Sequence, residues 1–335
     1  MKKLFFALCV LLLPLSIFAQ AESENDGNSV TVYAYDVFTG EWGAGPELIP
    51  LFEEETGIKV NLITAGGATE MLSRVIAEGE GTEADVVLGI SDDMADKAYD
   101  ADIFAPYESK YLSEIDDELE FDKEHRLLPF DWGAYAFVFD TESGITPPGS
   151  LGDLTKSEYK DNLILVDPRT SDVGLGLLLW SHEVFGDEYL SWWKEVSKNA
   201  LTIADGWSSA YGLFTEGEAP IVLSYTTSPV YHVMNENSTR YKALVFPEGH
   251  HGTIEGIGIS KYAKNRENAE AFVDFILSEG QATMAVKNSM YPANGNTELP
   301  DAYEYAPLPE KLLRTTDEEM AAKDDMLDSW AEAMI

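Results

Sequence analysis

The order of apolar segments in the first hundred residues constrains the fold of this chain more than any other feature. Alternating or continuous apolar runs at residues 30–35, 60–64 and 84–90 are typical of strands. Two helical patterns separate these strands. The first starts with Pro46 at its first position and stops at Gly57, which lies just past its end. Strands that alternate with helices form parallel sheets covered by helices. The sequence therefore predicts a doubly wound α/β layer.

Later segments extend this pattern into a second layer. We predict further strands at 134–139, 163–166 and 221–225, and helices at 175–185, 267–277 and 317–333. A chain of 335 residues is longer than one core usually fills, so two lobes are expected. No flexible linker separates them, which favours strands that cross over and return, and we place these crossings near 137–141 and 246–252.

The predicted fold is therefore α/β with two lobes, each a doubly wound sheet flanked by helices. Lobe 1 comprises residues 22–136 and 249–335, and lobe 2 comprises residues 137–248.

The N-terminus has the pattern of a removable export signal. Lys2 and Lys3 precede an apolar run over residues 4–18, and a small-residue site follows that ends at Ala21. The run is too short to span a bilayer, and no second hydrophobic stretch follows it. Cys9, the only cysteine, lies inside this signal. We therefore expect a periplasmic protein, cleaved near Ala21, without disulfides, thiolate catalysis or cysteine metal sites.

The chain is strongly acidic. Its formal net charge is −38, and loss of the two lysines in the signal would lower it further. Such a surface repels nucleic acid and anionic membranes, so neither is an expected partner. An acidic solvated coat with a modest attraction for cations is the simplest interpretation.

Polar and aromatic residues follow several predicted strands. In open α/β sheets, ligands bind beyond the carboxyl ends of the strands, which singles out residues 35–36, 66–67, 167–172 and 225–228. Residues 167–174 lead into an apolar helix, where free amides and hydroxyls can hold a phosphate or a carboxylate. Ordinary helix capping explains the same residues, and Asp172 would oppose a phosphate electrostatically unless it faces away.

Aromatic residues at 206–211 and 224–231 suggest a surface for a flat heterocycle. An aromatic face attracts a cation by roughly 0.5 to 2 kcal/mol per ring. Any single Trp or Tyr is more often part of the core, and it is their coincidence at strand ends that favours a site.

Enzymatic motifs are missing from the sequence. There is no His-Glu-x-x-His helix, no Walker loop and no Gly-x-Ser-x-Gly elbow, so a metal site, a cofactor or hydrolase chemistry has no support. Paired catalytic carboxylates can be invisible in a sequence, which leaves a secreted enzyme acting on phosphorylated or sugar substrates as an alternative.

Nine short segments together resemble one protein family. They are Tyr33-Ala-Tyr35-Asp36, Trp42-Gly43-x-Gly45-Pro46, Ala84-Asp-Val-Val-Leu-Gly89, Asp167-Pro-Arg-Thr-Ser171, Gly174-Leu-Gly-Leu-Leu-Leu-Trp180, Gly206-Trp207, Ala210-Tyr-Gly-Leu-Phe214, Leu223-Ser-Tyr-Thr-Thr-Ser-Pro229 and Met290-Tyr-Pro292. In order and spacing they resemble the periplasmic thiamine-binding proteins of bacterial thiamine ABC transporters. Two positions depart from that pattern: Gly67-Ala68 stands in place of an Asp-Gly turn, and Ser289 in place of a tryptophan.

This resemblance implies a type II solute-binding fold that closes over thiamine, thiamine monophosphate or thiamine diphosphate. It implies a monomer that is not an enzyme, needs no cofactor and delivers its ligand to a membrane permease. The candidate ligand-binding residues are Tyr35, Asp36, Gly67, Ala68, Ser171, Asp172, Trp207, Tyr211, Tyr225, Thr226, Thr227 and Ser228. A ferric-ion-binding transport protein of the same fold is the alternative; it would need clustered tyrosines, whereas Tyr225 and Tyr231 lie apart in the sequence.

Overall fold

Strands and helices alternate along the chain as the sequence predicts. The computed structural model describes residues 27–334, so the predicted export signal and its cleavage site lie outside the described residues. The strands are β1 Ser29–Ala34, β2 Lys59–Thr64, β3 Val86–Ser91, β4 Phe104–Ala105, β5 Leu128–Asp140, β6 Leu163–Val166, β7 Ala200–Ala204, β8 Ile221–Tyr225, β9 Tyr241–Leu244, β10 His250–Ser260, β11 Tyr291–Pro292 and β12 Leu312–Leu313. The helices are α1 Asp36–Thr39, α2 Gly45–Thr56, α3 Ala68–Glu78, α4 Ala95–Asp100, α5 Asp172–Phe185, α6 Tyr189–Val196, α7 Trp207–Thr215, α8 Pro229–Glu236, α9 Arg266–Ile276, α10 Gln281–Asn288 and α11 Asp317–Ala333.

Local sequence signals determine where several helices begin and end. Helix α2 stops at Gly57, whose φ of 71° is in the left-handed region that glycine adopts without strain. Helix α11 begins with a capping box in which Thr316 and Glu319 each bond the other's backbone. Helix α5 is buried over residues 173–181, because it packs between the sheet and helices α6 and α11. This burial fixes the position of its first turn.

The strands form one continuous path in the order β2-β1-β3-β10-β5-β8-β6-β7. In the first part, β1 pairs in parallel with β2 and β3. In the second part, β6 pairs in parallel with β7 and β8. The antiparallel strands β10 and β5 lie between these parts. This arrangement confirms the predicted two-lobed fold with crossover strands.

Strand β5 belongs to both lobes. Up to Ala134 it pairs with β10, and from Tyr135 onward it pairs with β8. The chain returns between β9, which pairs with β5 in the second part, and β10, which pairs with β3 in the first. The exact lobe boundaries at residues 136/137 and 248/249 stay a prediction.

The sequence predicted a crossing near 246–252 but not the whole of β10, because the glycines of this strand interrupt the apolar pattern. Packing explains two of them. A Cβ atom on Gly256 would lie 2.8 Å from Cζ of Phe121, and one on Gly258 would lie 2.7 Å from Cδ1 of Phe104. Strand β10 therefore runs through the centre of the sheet where aromatic rings leave no room for side chains.

Within the described residues, no helix is long and apolar enough to cross a membrane.

Candidate functional site

A cavity of about 970 Å³ lies between the two lobes. Elements of both lobes line it, including the starts of α1, α3, α5 and α7, the end of β8 and the end of α10. Ten of the twelve predicted site residues are at its wall, namely Tyr35, Asp36, Gly67, Ala68, Ser171, Asp172, Trp207, Tyr211, Tyr225 and Ser228. The structure therefore brings together residues that lie far apart in the chain.

Thr226 and Thr227 are not at the cavity wall. Both are fully buried, since the chain turns inward after β8. The Thr226 amide donates to the carbonyl of Ala134, and the Thr227 hydroxyl lies 3.9 Å from the sulfur of Met290. The structure places these two predicted residues behind the wall, where they support the turn.

Helices α3, α5 and α7 begin at the cavity. Their N-cap residues are Gly67, Ser171 and Gly206, and none of them caps its helix with a side-chain hydrogen bond. The Ser171 hydroxyl instead donates to Oδ1 of Asp172 at 3.3 Å. First-turn amides have no partner inside their own helix, so they are available to an anionic or polar ligand group.

Aromatic rings form the walls. Trp207 stacks on Tyr211 with ring centroids 5.0 Å apart, and its Nε1 donates to the Ser224 hydroxyl at 2.8 Å. Tyr225 stacks on Tyr135 at 5.0 Å. These contacts hold the rings in fixed orientations at the cavity, where a flat ligand can stack on them.

Contacts between the lobes cross the cavity mouth. The Ser208 hydroxyl of α7 donates to Oδ2 of Asp36 in α1 at 2.8 Å. The ring of Trp42, from the first lobe, lies 6.1 Å from the ring of Trp207. The cleft in this structure is therefore closed.

Glu255 forms part of the cavity floor, and its hydrogen-bonded neighbours connect it to Asp131 behind the floor. The Tyr35 hydroxyl donates to Oε2 of Glu255 at 2.9 Å. The amide of Asn288 donates to the Tyr35 oxygen at 2.8 Å and to Oδ2 of Asp131 at 2.9 Å. Sequence reasoning missed Glu255, Asp131 and Asn288, because the two acids lie within strands and not at their ends. The one available signal in the sequence was Glu255 itself, a glutamate inside the glycine-rich segment that forms β10.

Burial sets the electrostatics of this floor. Burial raises the pKa of Asp131 to about 8, and burial followed by repulsion from Asp131 raises the pKa of Glu255 well above its usual value. Burial also raises the pKa of Asp172. Among residues 27–334, no lysine, arginine or histidine forms an ion pair with any of these three carboxyl groups. The cavity therefore favours a cation.

Two basic residues at the cavity wall are already paired. Arg169 contacts Asp167 at 2.6 Å, and Lys287 contacts Glu47 at 2.5 Å. In the part of the chain that the structure describes, no group of three or more His, Cys, Asp or Glu side chains is arranged to hold a metal ion.

The two departures from the family pattern, Gly67-Ala68 and Ser289, also line the cavity. The buried Ser289 hydroxyl has no hydrogen-bond partner among the described residues, and Gly67 leaves open space beside its backbone.

Known proteins resemble this chain along most of its length. Residues 33–283 match the family described as bacterial extracellular solute-binding protein. The thiamine-binding periplasmic protein of Brucella melitensis is 38% identical over 308 residues, which cover 90% of this chain and 91% of that protein. The protein of the same name from Escherichia coli is 36% identical over 307 residues, covering 91% and 93%.

Solved structures of other proteins are similar to this chain over nearly its whole length. A structure described as periplasmic thiamin binding protein has a TM-score of 0.87 and 36% identity, with 92% of this chain and 96% of that chain covered. The ferric ion-binding protein A of Pasteurella haemolytica has a TM-score of 0.75 at 22% identity, covering 92% and 98%, which is a likeness of fold alone. The family match and these near-complete alignments show that this chain belongs to the bacterial extracellular solute-binding proteins, in the family of the thiamine-binding periplasmic proteins.

Proposed function

We propose that this chain captures thiamine or thiamine phosphates and delivers them to the permease of an ABC importer. The observation that carries the proposal is the cavity itself, in which aromatic walls surround the carboxyl groups of Glu255 and Asp172, which form no ion pair with a basic residue within residues 27–334. Thiamine has two flat aromatic rings, one of which is permanently positive, so it supplies both the rings and the charge that such a cavity favours. The names of the relatives at 36% and 38% identity support the same ligand.

Each part of the cavity has a proposed role. Tyr35, Trp207 and Tyr225 contact the ligand rings, with Tyr211 supporting Trp207 from behind. The first turn of α5 at Ser171 receives the hydroxyethyl or phosphate end of the ligand through its backbone amides and the Ser171 hydroxyl. Asp172 opposes a phosphate less than an ordinary aspartate would, because burial raises its pKa and so favours its neutral form.

We propose binding without chemical change. Relatives along nearly the whole chain are named as binding proteins. Contacts such as that of Ser208 with Asp36 require both lobes, so lobe closure gives binding its selectivity. Incubation with thiamine monophosphate or diphosphate should leave either compound intact, as measured by chromatography. Release of inorganic phosphate in proportion to protein would favour the enzyme alternative.

We further propose that the chain acts in the periplasm as a monomer, after cleavage near Ala21. The relatives from Brucella melitensis and Escherichia coli are named as periplasmic proteins, which supports this location. Detection of the protein in the periplasmic fraction, with an N-terminus at residue 22 by mass spectrometry, tests the proposal. A protein that stays with the membrane fraction contradicts it.

Calorimetry tests the ligand. Purified protein from residue 22 onward should bind at least one of thiamine, thiamine monophosphate and thiamine diphosphate with micromolar or stronger affinity. Absence of binding to all three refutes the proposed function. Ferric iron is the matched comparison: a red-purple colour on its addition would favour the ferric alternative, whereas we expect none.

A further inference from the structure

Two carboxyl groups, one at the cavity floor and one buried behind it, are direct partners across paired strands. Asp131 of β5 and Glu255 of β10 are direct partners in the antiparallel register. We call them the cavity pair. The exposed fraction of Asp131 is 0% and that of Glu255 is 9%. Like charges placed opposite each other on a sheet repel, and the repulsion is stronger when water is excluded.

The hydrogen bonds of the cavity pair come from neutral donors. Tyr35 donates to Glu255, and Asn288 donates to Asp131 and to Tyr35. Oδ1 of Asp131 is buried and accepts no hydrogen bond from the described residues. Neutral donors satisfy part of the hydrogen-bonding capacity of the two acids but cannot balance two negative charges.

The charged and titratable groups around the cavity pair do not supply the missing positive charge. Tyr35 follows β1, Asp92 follows β3, Asp172 begins α5, Tyr225 ends β8, and Tyr303 acts on Asp131 from the C-terminal segment. Each of these groups is neutral or negative. The nearby cations contact other acids: Arg314 pairs with Asp92 at 3.5 Å, and His251 pairs with Asp93 at 2.9 Å. On α10, Lys287 lies next to Asn288 but is paired with Glu47 at 2.5 Å.

We propose that the cavity pair shares one proton while the cavity holds no cation and releases that proton when a cationic ligand binds. Two adjacent carboxylates in a dry site cannot both ionise without compensation, so they titrate as a unit. The positive ring of the ligand supplies the compensation. The inference takes the identity of the cation from the proposed function, while the shared proton itself is a property of the unliganded protein.

This exchange makes the cavity selective for charge. Burial raises the pKa of Asp131 to about 8 and raises the pKa of Glu255 well above its usual value, so the cavity pair is protonated at pH 7 before binding. A neutral analogue of thiamine, such as one in which thiophene replaces the thiazolium ring, would not displace the proton. Protons also compete with the cation, so affinity for thiamine should fall as the pH decreases below about 8, by up to about tenfold per unit.

The first test needs no ligand. Carbon-13 NMR of protein labelled at the Asp and Glu carboxyl carbons follows each acid with pH, and Asp131→Asn and Glu255→Gln identify the two signals. We expect one proton shared by the pair at pH 7. Two fully ionised signals at pH 7 in the unliganded protein would overturn the inference, whether or not thiamine binds.

The second test measures the released proton. Calorimetry of thiamine binding at pH 7 in phosphate and in Tris, whose heats of protonation differ, should show about one proton released per ligand bound. The double variant Asp131→Asn/Glu255→Gln should release close to none, and Glu188→Gln, which changes an exposed glutamate outside the cavity, should match the parent. Equal heats in both buffers with binding intact overturn the inference and leave the proposed function standing. Absence of any binding counts against the proposed function, and the NMR result then decides the shared proton alone.

Discussion

Two groups of buried acids in this protein differ in how their charge is balanced. The first is the cavity pair. The second, which we call the interlobe cluster, consists of Asp93, Glu183 and His251. His251 Nε2 lies 2.9 Å from Oδ2 of Asp93, and its Nδ1 lies 2.9 Å from Oε1 of Glu183. Its side chain is 1% exposed, and the carboxylates are 3% and 6% exposed. Burial is similar in both groups, but only the interlobe cluster contains its own cation.

The position of the interlobe cluster explains its composition. Asp93 follows β3 in the first part of the sheet, Glu183 lies on α5 in the second, and His251 lies on the central strand β10. Burial alone would lower the pKa of His251, but the two carboxylates outweigh burial and raise the pKa well above its usual value. A group of acids that contains a cation of its own stabilises the fold. A group of acids without a cation, such as the cavity pair, is suited to bind a charged ligand.

The largest effect should follow from removing the cation of the interlobe cluster. His251→Leu leaves Asp93 and Glu183 buried without compensation, which should lower the free energy of unfolding by about 3 to 5 kcal/mol. Urea unfolding of the unliganded protein measures the change. The matched control is His182→Leu, which breaks a more exposed pair with Glu319 and should cost about 1 kcal/mol or less. Equal losses in the two variants would contradict our distinction.

The pH dependence of this variant has a defined sign. Because the pKa of His251 is raised in the folded state, its stabilising contribution is fully present below its unfolded value near 6.5. That contribution is lost as the pH rises through the raised folded value. The stability difference between the parent and His251→Leu should therefore be greatest in mild acid and shrink in alkaline buffer; a constant difference would contradict a charged His251.

The cavity pair should respond in the opposite way. Glu255→Gln removes a charge that has no cationic partner in residues 27–334, so the unliganded protein should keep or gain stability. Affinity for thiamine should fall by about 30-fold, or ~2 kcal/mol, because the ligand cation loses its counter-ion. Calorimetry and urea unfolding measure the two quantities, with Glu188→Gln as the control. A variant that loses stability but keeps its affinity would place Glu255 with the interlobe cluster.

A smaller effect should separate the contribution of the rings from that of the charge. Trp207→Ala removes a ring that stacks on Tyr211, so affinity for thiamine should fall at least tenfold, or ~1.4 kcal/mol. Trp207→Phe is the matched control, since it keeps a ring but loses the donor to Ser224. It should retain most of the affinity. Unchanged binding in Trp207→Ala would remove this residue from the site.

The wall of this cavity was predictable from the sequence, whereas its floor was not. Strand ends and helix starts are local features, and they singled out Tyr35, Ser171 and Trp207, which line one cavity in the structure. Asp131 and Glu255 become neighbours only through the order of strands in the sheet, and β10 lacks a readable strand pattern. Local patterns carry no information on such long-range pairing.

The same limit applies at the turn after β8. The sequence indicated that residues 225–228 follow a strand, but not which of them face the cavity. Tyr225 and Ser228 do, while Thr226 and Thr227 are buried in the turn. Turn geometry decides this alternation, and hydroxyl residues are equally compatible with a cavity wall and with a buried, hydrogen-bonded turn.

An intermediate case between the two acidic groups gives the smallest predicted effect. Asp36 lies at the cavity mouth, and the Ser208 hydroxyl, a neutral donor from the other lobe, contacts it at 2.8 Å. Ser208→Ala removes one hydrogen bond that the open form lacks, which should destabilise closure by about 1 kcal/mol and weaken thiamine binding about fivefold. Faster ligand dissociation in stopped-flow fluorescence should account for most of the loss. Ser209→Ala is the matched control, because among residues 27–334 the Ser209 hydroxyl bonds within its own segment, to Asp205 and Gly206. If both variants bind equally well, the contact between Asp36 and Ser208 does not contribute to closure. Attraction between the ligand cation and the cavity pair would then have to hold the lobes together alone.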